Sequence, residues 1–255
     1  MLKRCFFLIV AVFYFVPGNV FADTPQQLFE QANSAYYKNQ LKTAEEIVKQ
    51  LIAQGISNGH LYYNLGNIYY RQGEFGEAIQ NFEKALRLIP RDADTRANLK
   101  FVEQKRIDNL GETFWMSFLK IFFFWYSYAT LKELILIFTL CLALLWFLGW
   151  LNLLFHRGFF KWGAVLLLVI SLVVGLSTWF KYDVERRKTW AVVVVPEVPI
   201  HPTYLESSSP LFKLHEGSRV QVVDYQKFGE KDAWAQVKLP QGQKGWVRLE
   251  ELGMI

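Results

Sequence analysis

The sequence predicts a multi-domain chain: an all-α solenoid of helical repeats, a two-helix transmembrane hairpin and a small all-β barrel. Three observations predict it. Two uncharged apolar runs, Leu134–Phe155 and Trp162–Phe180, stand six residues apart. The segment before them matches itself at an offset of 34 residues. The segment after them switches to alternating apolar and polar positions broken by turn residues.

The two apolar runs organise the rest. The first holds 22 residues and the second 19, all without charge. A bilayer core about 30 Å thick needs about 20 apolar helical residues, so each run is long enough to span. A very apolar helical hairpin inside a soluble protein is the competing reading, but two uncharged runs of this length are rare in soluble cores. A hairpin at 134–155 and 162–180 holds what precedes and follows it on one side of a membrane. The net charge of +5 is placed accordingly: residues 1–22 carry +2, 23–112 carry −1, 113–189 carry +5 and 190–255 carry −1. Both polar regions are slightly acidic, which argues against nucleic acid as a partner.

Residues 1–22 have the layout of a secretory signal peptide: Lys3 and Arg4, an apolar stretch from Cys5 to Val16, a Pro17–Gly18 break, and Val20-Phe21-Ala22 before Asp23. An uncleaved anchor is the alternative, and either sends residue 23 onward across the membrane. The two cysteines are Cys5 in this leader and Cys141 in the middle of the first run, so neither a disulfide framework nor a cysteine metal site is expected.

Residues 24–110 carry the repeat. At an offset of 34, Ala32 falls on Gly66, Asn33 on Asn67, Tyr36 on Tyr70, Leu41 on Phe75, Ala44 on Ala78 and Val48 on Phe82. Gly66 and Ala78 are small where two helices cross, Tyr69 and Phe82 fill the space beside that crossing, and Gly73 and Pro90 end the two helices. Asp92 to Arg106 begins a third copy without a second helix and reads as a capping helix. With Tyr62, Leu65 and Ala85, this pattern resembles the tetratricopeptide repeat. The resemblance implies a concave face for a peptide or protein ligand, lined by Phe29, Asn33, Tyr36 and Tyr37 in the first copy and by His60, Tyr63, Asn64, Asn67, Tyr70 and Arg71 in the second. Asn33 and Asn64 match two asparagines of the subtype that grips a peptide C-terminus. Phe29, Asp94 and Asn98 replace its cations, so an aromatic-lined groove for an apolar or extended segment is expected instead. The competing reading has Asn33 and Asn67 serve only helix packing, and His60 a surface residue at a helix start.

Residues 111–133 are dense in aromatics, including Trp115, Trp125, Tyr126 and Tyr128. Rings with a polar tip favour the headgroup level, so a helix lying on the membrane surface is expected. A third span is the alternative, and it would put the tail on the opposite side. Thr130 and Glu133 have capping-box spacing, which marks the start of the first membrane helix. Arg157 and Lys161 suit a cytoplasmic turn, whereas Lys181, Arg186, Arg187 and Lys188 oppose it on the outer side. Gly149, Gly163 and Gly175 offer points of close helix approach.

Residues 190–255 read as five short strands with a proline-punctuated loop over 197–209. The order Leu214-His215-Glu216-Gly217, Val220, Val222, then Trp234 and Val237, then Gly245-Trp246-Val247 resembles the bacterial SH3 domain. That resemblance implies a barrel with Trp234 and Trp246 in its core and a groove for peptides or peptidoglycan. A purely structural module is the alternative. His201 and His215 lack a carboxylate at ligand spacing, so no metal is expected.

The whole order resembles the BatE family, the tetratricopeptide component of the bacterial aerotolerance (Bat) operon. The stretches ANSAYYKNQLKTAE and YYNLGNIYYRQGEFGEAIQNFEKAL, followed by the hairpin, carry the resemblance. It implies a bacterial inner-membrane protein with both polar regions in the periplasm. Its partners would be Bat membrane proteins with von Willebrand A domains and a MoxR-type ATPase system, in aerotolerance or envelope stress. The sequence shows no catalytic constellation, phosphate loop or nucleophile elbow, so neither an enzyme nor a cofactor is expected. A scaffold working through the repeat groove is the first expectation, and a peptidoglycan-binding sensor working through the tail is the second.

Overall fold

The computed structural model describes residues 24–56, 58–108, 128–155, 158–187, 189–204, 208–228 and 232–255. The expected signal peptide and the aromatic segment up to residue 127 lie outside the described residues. The chain divides into two compact units, Met1–Gly55 and Ile56–Ile255.

The first unit is a helix pair, α1 (Pro25–Tyr37) and α2 (Leu41–Ala53). Thr24 starts α1 with a capping box: its hydroxyl accepts from Gln27 N–H at 3.3 Å, and its own N–H donates to Gln27 Oε1 at 2.8 Å. Asn39 turns the chain with φ 61°, a left-handed conformation that asparagine tolerates. Leu28, Ala32 and Ala35 on α1, and Ala44, Val48 and Leu51 on α2, form the buried faces.

The second unit opens with α3 (Gly59–Gln72), α4 (Phe75–Leu88) and α5 (Ala93–Glu103). Gly73 closes α3 in the left-handed region. A Cβ on Gly66 would lie 2.7 Å from the Phe82 ring, which is why this position is glycine. Ala78, Phe82 and Ala85 are fully buried at the crossing. Pro90 follows the end of α4 at Leu88. Asp92 then caps α5 by accepting from Thr95 N–H at 2.7 Å. That hydrogen bond and one from the Thr95 hydroxyl hold the Asp92 carboxyl below its ordinary pKa.

Two long helices follow, α6 (Leu131–Phe155) and α7 (Gly158–Arg187). Both extend beyond the apolar runs. Thr130 and Glu133 make the expected capping box, with Glu133 N–H donating to Thr130 Oγ1 and Thr130 N–H to Glu133 Oε2. Both helices are long and apolar enough to cross a membrane. Their apolar side chains point outward, as with Trp146 at 75% exposure and Phe159 at 81%, which is not how a soluble core helix sits. At Gly175 a Cβ would stand 2.7 Å from Phe138, so the two helices meet closely there. Ser171, Ser177 and Thr178 bond carbonyls of their own helix, which keeps their hydroxyls satisfied among apolar neighbours.

The repeat is tied to the end of this helix pair where α6 begins and α7 nears its close. Arg91 pairs with Glu133 at 2.8 Å and donates to the Tyr128 carbonyl at 3.1 Å. The Arg96 guanidinium lies 3.9 Å from the Tyr128 ring centroid, and Lys181 donates to the Ala129 carbonyl at 2.6 Å.

The C-terminal region is antiparallel sheet. Its strands are β1 (Thr189–Val193), β2 (Glu197–Ile200), β3 (Phe212–His215), β4 (Arg219–Phe228), β5 (Asp232–Lys238), β6 (Lys244–Arg248) and β7 (Leu252–Met254). Five strands form one sheet in the order β6-β5-β4-β1-β7, and β2 pairs with β3 in a second. An isolated bridge between His201 and Trp246 joins the two sheets; the described pairings do not give one closed barrel. The core gathers Ala191, Val193, Val198, Ile200, Leu214, Val220, Val237 and Val247.

Three expectations for this region need correction. The described strands number seven rather than five, and the four-residue β2 and β3 and the three-residue β7 are too short for the alternation to register. The proline-rich stretch contains β2, in which Val198 and Ile200 are buried and Pro199 falls between them. Trp234 is buried as expected, but Trp246 is half-buried, with the Tyr204 ring edge-on to it at 5.7 Å.

Candidate protein-binding site

The expected groove residues of the first unit sit on α1. Phe29, Asn33 and Tyr36 are half-buried, and Tyr37 is 83% exposed, edge-on to Tyr36.

In the second unit the corresponding face is shared by α3 and α5. Helical spacing stacks Tyr63, Asn67 and Tyr70 on one side of α3, and Asn98 and Phe101 on the facing side of α5, with Lys105 in the turn that follows α5. Asn98 Nδ2 donates to Asn67 Oδ1 at 2.8 Å and reaches the Tyr63 hydroxyl at 3.5 Å. Below this pair of amides, Tyr70 meets Phe101 edge-on at 5.8 Å and Phe75 at 6.0 Å. The Tyr63 ring leans on Phe82 at 6.0 Å, which carries the helix-crossing core up to the groove surface. Phe101 stays 49% exposed, so the aromatic rung is open to solvent.

Of the other expected residues, Asn64 is half-buried and Arg71 is exposed on the last turn of α3. His60 is exposed at the start of α3, with its N–H capped by Asn58 Oδ1 at 3.0 Å. Asn98 and Phe101 are the groove residues that sequence reasoning did not assign to the site. Their signal was the match of Asn98-Leu99 to Asn64-Leu65, which set α5 in phase with α3.

The back of α4 carries a second set of contacts. This helix packs against β1 and β7 of the sheet. Gly76 N–H donates to Glu216 Oε1 at 2.7 Å, Gln80 Nε2 to the Met254 carbonyl at 2.7 Å, and Arg87 Nη1 to the Ile255 carbonyl at 2.8 Å. Glu83 meets Arg219 at 3.3 Å, and the Arg219 guanidinium also lies 4.7 Å from the Trp190 ring centroid. Burial pushes the Glu83 carboxyl above its ordinary pKa, and Arg219 only partly opposes this. A Cβ on Gly76 would collide with the Val193 carbonyl oxygen at 2.5 Å. Gly217, with φ +81°, turns the β3–β4 connection against Ile79 and Arg106, where a Cβ would also collide.

Asp108, beyond α5, adds to these contacts. Its carboxylate accepts from His215 N–H at 2.6 Å and from the Ser218 hydroxyl at 2.5 Å, and it faces His215 Nδ1 at 2.9 Å. Burial alone would raise this carboxyl, but the hydrogen bonds from Ser218 and His215 more than offset it and hold the pKa below its ordinary value. Asp108 is therefore the partner that the sequence could not offer His215. Among the described residues no group of three or more metal-ligating side chains converges.

Helix pairs crossing at small residues, with a shared face of amides and aromatics, define a helical-repeat module. The family model of the tetratricopeptide repeat matches residues 61–92, which span most of α3, α4 and the turn at Pro90. No curated protein matches the chain. A tetratricopeptide repeat implies protein partners and a role as a protein–protein interaction scaffold.

Proposed function

We propose that this chain is a membrane-anchored scaffold that gathers envelope proteins on the face built by Tyr63, Asn67, Tyr70, Asn98 and Phe101. The observation that carries the reading is the repeat at 61–92 with that face half-open beside two membrane-length helices. The assembly it best fits is a Bat-type complex at the bacterial inner membrane, with von Willebrand A-domain proteins and a MoxR-type ATPase system as partners.

The docking of α4 on the sheet supports one topology. The Gln80–Met254 hydrogen bond links positions 174 residues apart across both apolar helices. Contacts of this kind support a shared side of the membrane for the repeat and the tail, with an even number of crossings between them. Two spans satisfy that condition, and a third span in the aromatic segment does not. With a secretory leader, the shared side is the periplasm. The same docking favours the tail, whose strand order we read as SH3-like, as a brace for the repeat over a free peptidoglycan binder.

The test is cross-linking in intact membranes with photoreactive residues at Tyr63 and Tyr70. Discrete protein adducts that vanish when the photoreactive residue moves to the exposed Lys42 are expected. Identical adducts from all three positions overturn the reading.

A further inference from the structure

We infer that the cleft between the end of α5 and the tail is a further recognition pocket, continuous with the groove, for one apolar side chain of a partner protein, with a neighbouring carboxylate of that partner held by Lys105. The inference rests on the scaffold reading and adds the chemistry of the bound segment.

The cleft encloses about 250 Å³, enough for one large aliphatic or aromatic side chain, and is lined by Phe75, Lys105, Arg106, Ile107, Pro196 and Glu216. The helical repeat supplies four of these residues and the β-region two, so neither forms the pocket alone. Three are apolar: Phe75 is half-buried, Pro196 is exposed, and Ile107 is 73% exposed on a chain otherwise pinned by Asp108. An exposed isoleucine beside a half-buried phenylalanine leaves apolar surface that a side chain from outside would cover.

The charges around the cleft select what accompanies that side chain. Arg106 is occupied by Glu103, through an ion pair at 3.4 Å and a bond to its carbonyl at 3.3 Å. Glu216 is occupied by Gly76 N–H. The ammonium of Lys105 stands 5.6 Å from the Phe101 ring centroid, and among the described residues it has no carboxylate in ion-pair reach. Among the described residues the lining thus offers one cation without an anion, and complementarity calls for an acidic residue next to the apolar one.

The pocket also continues the groove. Tyr70 touches both Phe101 and Phe75, so an aromatic path runs from the Asn67–Asn98 amides into the cleft. An extended segment lying along that path can set its backbone on the amides and its apolar side chain past Phe75. The walls are held before binding by Asp108 on His215 and Ser218 and by Glu216 on Gly76, which lowers the ordering cost of association.

The experiment is selection of random displayed peptides on the full chain in detergent, with the wild type, Lys105→Glu, Ile107→Asp and Tyr63→Ala compared. The wild type should enrich peptides with an apolar residue beside Asp or Glu. Lys105→Glu should weaken such a peptide about fivefold and enrich Lys or Arg at that place. Ile107→Asp, at an exposed position that leaves folding intact, should lose the apolar preference. If Lys105→Glu leaves the selected charge unchanged, or if Tyr63→Ala alone abolishes binding, the pocket is excluded while the scaffold reading stands. If the wild type enriches nothing, the pocket is excluded too, and the membrane cross-linking decides the scaffold reading separately.

Discussion

Asp108 and His215, 107 positions apart, face each other across the joint between repeat and tail at 2.9 Å, and the same carboxylate takes the His215 N–H and the Ser218 hydroxyl. One side chain thereby closes a loop that contains both long apolar helices. The Glu83–Arg219 pair lies on the same joint, and the two carboxylates titrate in opposite senses.

Acid should separate those two contributions. Asp108 has a folded pKa below its unfolded one, so its stabilisation is full above the ordinary Asp value and is lost as pH falls through the lower folded value. Glu83 has a folded pKa raised by burial, so the fold loses stability as pH rises from the ordinary Glu value to the raised one. In thermal unfolding of the full chain in detergent, Asp108→Asn should lower Tm above pH 5 and have little effect well below pH 3. Glu83→Gln should flatten the decline in Tm as pH rises above the ordinary Glu value. Parallel pH profiles for wild type and both variants would refute the assignment.

Gly66 and Phe82 set the crossing of α3 and α4. Gly66→Val forces a side chain into the Phe82 ring and should cost about 1–3 kcal/mol. Phe82→Ala should cost about 3–5 kcal/mol through the cavity it leaves. Chemical denaturation of the detergent-solubilised chain measures both, with a loss under about 0.5 kcal/mol for either counting against this packing.

Topology is open to direct labelling. Single cysteines placed at Gln54 and at Ser209, in a Cys5→Ser, Cys141→Ser background, should react with a membrane-impermeant maleimide from the same side in intact cells. Reaction of one from outside and the other only after lysis would contradict the proposed even number of crossings.

Gly175 and Phe138 predict how the hairpin closes. Gly175→Leu should drive α6 and α7 apart and weaken a disulfide-scan signal between them, whereas Gly149→Leu, where a Cβ meets nothing within 4 Å, should not. Equal effects would show that the close approach at Gly175 is unimportant.

Much of this architecture was legible in the chain. The 34-residue offset found the helix crossings because Gly66, Ala78 and Phe82 are sized by each other within one repeat. Thr130 and Glu133 announced the start of α6 because a capping box is local. What escaped was every contact whose partner lies far along the chain. Gly76, Gln80 and Glu83 look like the solvent face of an amphipathic helix until β1 and β7 arrive to cover them. His215 looked unpaired because Asp108 is a loop residue with no motif around it. The candidate groove was half legible: Tyr63, Asn67 and Tyr70 follow from the repeat, but Asn98 and Phe101 required α5 to be set in phase with α3.

The two-sided burial of α4 bears on biogenesis. One side of this helix meets α3 and α5 early in synthesis, but the other waits for Met254, after both apolar helices have left the ribosome. A nascent chain stalled at residue 188 would carry a repeat whose rear surface, with Glu83 and Gln80 on it, still faces water. Such truncated products should be cut readily by proteases at α4, and pairing of β7 with β1 should end that sensitivity.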